Sequence, residues 1–85
     1  MGGRDSDEMI TMKDQFSAGK IRPGQRYLGI KGSMGNITVT VVDMTRFACN
    51  IEYYSSGIRY TCSVSEKFDA RNMTGMDDFV LLRGE

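Results

Sequence analysis

From Ile37 to Val64 the chain alternates apolar and polar residues, and only loop-forming residues interrupt the pattern. Side chains of a strand point to opposite faces with period two. Ile37, Val39 and Val41 therefore share one side, as do Phe47, Cys49, Ile51 and Tyr53, and again Ile58, Tyr60, Cys62 and Val64. The pattern predicts three antiparallel strands with one face in a core. Ser56-Gly57 favours a two-residue hairpin in which Ser55 pairs with Ile58. That register sets Tyr53 against Tyr60, Ile51 against Cys62 and Cys49 against Val64. Matching the faces of Val39 and Ile51 requires an odd loop or a bulge, and the adjacent pair Val41-Val42 is the place for one.

The flanks supply further elements. Pro23-Gly24 has the order of a type II turn and introduces a strand over 25–30, while Phe79 to Leu82 reads as a short closing strand. Between them, Gly32 to Asn36 forms a turn, Ser65 to Phe68 a helical or 3₁₀ turn with Phe68 in the core, and Asp69 to Asp78 a polar loop. Residues 1–19 form an N-terminal extension. Asp5 with Glu8 marks a helix start, and Met9, Met12 and Phe16 fall on one helical face that docks on the domain or on a partner groove. Five short strands around a central meander, in a chain of 85 residues, predict a mainly β fold, a five-stranded SH3-like small barrel with a short N-terminal helix or flexible extension. The barrel domain is expected over 20–85. An OB-type barrel is disfavoured because the connection from Tyr54 to Ile58 is too short for its helix.

Chemistry-bearing constellations are scarce. The chain has no histidine, so its serines have no imidazole base and its two cysteines cannot complete a zinc site. In the predicted register Cys49 and Cys62 are diagonal neighbours, too far apart for easy bridging, and read as buried reduced thiols. Asp77 and Asp78 are adjacent and expected to diverge. No enzyme activity, cofactor or metal is expected. Lys plus Arg and Asp plus Glu both number 11, which removes any overall pull toward nucleic acid or an anionic membrane. No apolar segment is long enough to span a bilayer, and a cytoplasmic location is expected. Lys20, Arg22, Arg26 and Lys31 nevertheless lie together with no acid among them, and with Tyr27 they form a candidate nucleic-acid site. The competing role for these cations is to guard an exposed edge strand. On the polar face of the hairpin Tyr54 lies beside Arg59 and Glu52 beside Thr61, a candidate protein-binding surface with a cation–π pair.

The stretch from Ile21 to Phe68 resembles a family of small uncharacterised proteins encoded in enterobacterial prophages. The likeness lies in Pro23-Gly24 with Tyr27 three residues on, the valine-rich strand Ile37 to Val42, and the Gly57 to Cys62 hairpin followed by Ser65 and Phe68. The extension over 1–19 and the interval between Phe68 and Phe79 are longer than that family's pattern. The resemblance implies a phage or prophage setting. Together with the residues it points to a binding module that modulates a host or phage protein through Glu52, Tyr54, Arg59, Met9, Met12 and Phe16. Nucleic-acid binding is the alternative, and self-association through the first or last strand edge is a further expectation.

Overall fold

The computed structural model describes residues 9 to 71 and 73 to 82. Its chain order is α1 (Met12–Ser17), β1 (Arg26–Gly29), a 3₁₀ turn (Gly32–Met34), β2 (Thr38–Met44), β3 (Ala48–Ser55), β4 (Ile58–Ser65), a second 3₁₀ turn (Met76–Asp78) and β5 (Phe79–Leu81). All strand pairs are antiparallel, and they form one sheet of five strands in the order β4-β3-β2-β1-β5. The sheet is open, because β4 and β5 stand at its two ends. β1 is therefore an interior strand between β2 and β5, and the expectation that its cations guard an edge is wrong.

The alternation sets the register as expected along the hairpin. Ser55 pairs with Ile58, Tyr53 with Tyr60, Ile51 with Cys62 and Cys49 with Val64. Ser56 and Gly57 both have positive φ, 53° and 81°, the backbone that twists a two-residue hairpin with its strands. Between β2 and β3 the register shifts from Val41/Ile51 to Asp43/Asn50, so Val42 is the bulged residue. Ile51 faces Val41 directly, one face repeat beyond Val39. Before β1, the Gln25 amide donates to the Arg22 carbonyl at 3.2 Å and Gly24 has φ +94°, which makes residues 22–25 the expected type II turn.

One apolar cluster holds these elements together: Met12, Ile21, Tyr27, Met34, Val39, Val41, Cys49, Ile51, Val64, Met76 and Phe79 are all buried. α1 packs on the second 3₁₀ turn and on β5. Thr11 caps it, its hydroxyl accepting from the Asp14 amide at 3.0 Å. The helix ends at Gly19, φ +72°, with the Gly19 and Lys20 amides donating to the Phe16 and Gln15 carbonyls, a Schellman closure. The helix start expected at Asp5 and Glu8 lies outside the described residues. Phe47 and Phe68 are among the apolar residues that miss the core. Phe47 is 76% exposed because it sits in the β2–β3 turn, where the Thr45 hydroxyl receives the Phe47 and Ala48 amides. Phe68 is also exposed, against expectation, and lines a surface hollow past the end of β4.

Candidate functional site

The β3–β4 hairpin carries the strongest candidate. Eight residue pairs hold its strands together, so the side chains on it are set on a rigid ribbon. On the outward face Arg59 stands opposite Tyr54, as the sequence predicts, but its guanidinium turns diagonally to Glu52. Nε donates to Oε1 at 2.7 Å, and this bond raises the Arg59 pKa above its ordinary value. The expected cation–π pair is therefore replaced by an ion pair, since a charge-assisted bond at this distance outweighs a ring contact on an exposed face. Tyr54 is left 63% exposed beside it. One step along the same face the Asn50 amide donates to Asp43 and the Ser63 hydroxyl donates to Asn50, a polar row across β2, β3 and β4.

The opposite face of the hairpin is apolar and only partly covered. Tyr53 and Tyr60 stack with ring centroids 5.5 Å apart and planes 13° from parallel. With Met34, Ile37 and Cys62 they line a hollow of about 310 Å³. Ile58 and Tyr60 remain 56% and 42% exposed. The predicted inner face is thus buried at Cys49, Ile51 and Val64 but open toward the hairpin tip, which lies past Glu52, where the pairing of β3 with β2 ends. Cys62 is half-buried rather than buried, and both thiols are free. Compared with known proteins, no family model, no curated protein and no solved structure matches this chain.

The other predicted surfaces are dispersed. Of Met9, Met12 and Phe16, Met9 is exposed, Met12 is wholly buried and Phe16 packs against the core, so the helix face docks on its own domain and Met12 offers nothing to a partner. Tyr27 is buried on the inner side of β1, with its hydroxyl donating to Gln25 at 2.9 Å, and cannot stack on a base. Burial pushes its pKa up to about 12. Arg22 donates to the Gly19 and Ile21 carbonyls at 3.1 and 2.8 Å, closing the loop before β1. Lys20 is exposed in that loop, Arg26 projects from the exposed face at the start of β1, and Lys31 lies past its other end, 3.9 Å from Asp78. Linear proximity of these cations was a poor guide because only Arg26 lies in the strand, while Arg22 is tied to its own loop and Lys31 lies beside Asp78.

A second hollow, about 410 Å³, is lined by residues that include Lys31, Glu66, Phe68, Asp77 and Asp78. Asp78 is buried, and its Oδ2 accepts from the Thr74 hydroxyl at 3.0 Å and the Gly75 amide at 3.1 Å. Asp77 is exposed, so the two acids diverge and one serves the turn. The sequence did not single out this anchor, although Thr-x-x-x-Asp around a glycine is a legible signal for it. Among the described residues, no group of three metal-binding side chains comes together and no helix is long and apolar enough to cross a membrane.

Proposed function

We propose that this protein is a cytoplasmic, non-enzymatic binding module of phage or prophage origin that engages a host or phage protein through the outward face of the β3–β4 hairpin. The carrying observation is the arrangement of Arg59, held to Glu52 at 2.7 Å, beside the exposed ring of Tyr54 on a fully paired ribbon. Tyrosine and arginine are enriched among the residues that dominate interface energies, and holding them in place beforehand lowers the entropy lost on association. The strand order, with a 3₁₀ turn leading into β5, supports an SH3-like plan whose barrel is left unclosed. The phage setting rests on the resemblance of 21–68.

Affinity capture from an enterobacterial lysate tests the reading, with Tyr54→Ala/Arg59→Ala as the control. A protein retained by the wild type and lost from a control of equal thermal midpoint is the expected result. A partner held equally by both would remove the hairpin face from the account. Nucleic-acid binding through Lys20, Arg22, Arg26 and Lys31 is weakened by the burial of Tyr27. Retention on heparin that falls steeply with salt would favour it.

A further inference from the structure

The two edges of the sheet are treated differently. Along β5, Thr11 bridges Val80 and the Leu81 amide donates to the Ile10 carbonyl at 2.7 Å, so the segment before α1 covers that edge. Along β4, at the other end, no described strand lies beyond Ile58–Ser65. In a two-residue hairpin the flanking residues exchange both backbone bonds, so Ser55 with Ile58, Tyr53 with Tyr60 and Ile51 with Cys62 are hydrogen-bonded pairs. The amides and carbonyls of Arg59 and Thr61 consequently point out of the sheet. Of the devices that usually protect an edge, Ile58–Ser65 carries a single charge, Arg59, and has no proline, no lysine and no bulge against β3.

We propose that β4 pairs antiparallel with β4 of a second copy of this chain, about a two-fold axis at Tyr60. Only registers that set outward-pointing backbone groups against each other are open to such a pair. An axis at Arg59 places two like charges face to face and is unfavourable. An axis at Tyr60 lets Arg59 exchange both backbone bonds with Thr61 of the second copy, on both sides of the axis. Arg59 is the sole charge on β4 and is neutralised by Glu52, so no like charges meet across the junction. Tyr60 then faces its own image as a non-hydrogen-bonded pair, the arrangement in which Cα atoms approach to about 4.5 Å. The Tyr53–Tyr60 stack continues through the axis into the same stack of the second copy. Ile58, exposed in the single chain, meets Cys62. A foreign strand would have to bring an uncharged, tyrosine-bearing face of its own, whereas a second copy carries one in register.

Light scattering from micromolar to millimolar protein tests the association. The expected mass climbs from the single chain's 9.5 kDa toward twice that value. Thr61→Pro, which removes an outward amide that β3 does not use, is expected to hold the mass at one chain. Because proline can also disturb the strand, register is read separately by oxidation of Tyr60→Cys/Cys62→Ser. A non-hydrogen-bonded pair at the axis lies within disulfide reach, so this variant is expected to form a covalent dimer in high yield. Thr61→Cys/Cys62→Ser is expected to give several-fold less. A single-chain mass across the whole range overturns the proposal. So does crosslinking from position 61 equal to that from position 60, or a faster disulfide through wild-type Cys62 than through the Tyr60→Cys variant.

Discussion

At the scale of single residues, the core makes its demands through space and ionisation. Gly29 sits where β1 passes the first 3₁₀ turn, and a Cβ there would lie 1.8 Å from the Met34 carbonyl oxygen. Backbone cannot yield as a flexible side chain can, so Gly29→Ala is expected to lower the thermal midpoint severely or prevent folding, as a melting curve will record. Burial, with the Asp43 charge adding to it, pushes the Cys49 thiol from 9.0 up to about 11, and Tyr27 rises from 10.0 to about 12. Both groups hold their protons more tightly in the folded chain. Stability is therefore full below pH 9 and falls as pH rises, first through the Cys49 interval and then through that of Tyr27. Two units of separation correspond to at most about 2.7 kcal/mol per group. Denaturant midpoints across this range are expected to be flat to pH 9 and to decline above it. In Cys49→Ala the decline just above pH 9 should be shallower, with Cys62, whose thiol burial also raises, supplying what remains before Tyr27 titrates. Thiol labelling read by mass spectrometry should modify half-buried Cys62 slowly and Cys49 only on unfolding.

At the scale of elements, α1 has only six residues and too few turns to persist alone, so its cap and its docking side chain must hold it. Thr11→Ala is expected to cost about 0.5–2 kcal/mol and Met12→Ala about 2–5 kcal/mol, measured by chemical denaturation. Phe16 and Met12 were legible as one helical stripe, but whether they covered this domain or another protein was not, since a stripe carries no address. The β3–β4 hairpin was legible to the residue, because period-two alternation and a Ser-Gly turn leave one register. Its side-chain pairing was not. Arg59 reaches either Tyr54 opposite or Glu52 on the diagonal, and the choice depends on charge and distance rather than spacing. Phe47 was misplaced for a related reason: alternation assigns a face only while the chain is in the ladder, and it lies just outside; Phe68 was assigned to the core through a helical turn that the chain does not make there.

At the scale of the whole molecule, the inner face of the sheet is longer than the material that covers it. β1 and β5 have four and three residues, against eight each in β3 and β4. The core is complete at Val39, Val41, Cys49, Ile51 and Val64 and thins toward Tyr60 and Ile58. A mainly β chain of this kind could be read from sequence, whereas closure into a barrel could not, because closure depends on the relative reach of strands far apart in the chain. The consequence is a projecting hairpin with an ordered polar face, an open aromatic face and an outer edge. Residue-resolved amide hydrogen exchange in dilute protein tests this architecture most directly. The amides of Tyr60 and Cys62, bonded to β3, are expected to exchange slowly, and those of Arg59 and Thr61, which point away from β3, to exchange at least tenfold faster, in the manner of exposed backbone (on the order of 1.4 kcal/mol in opening free energy). Equal, slow exchange at all four positions in dilute protein would mean that the sheet continues past β4 within a single chain, and would contradict the account.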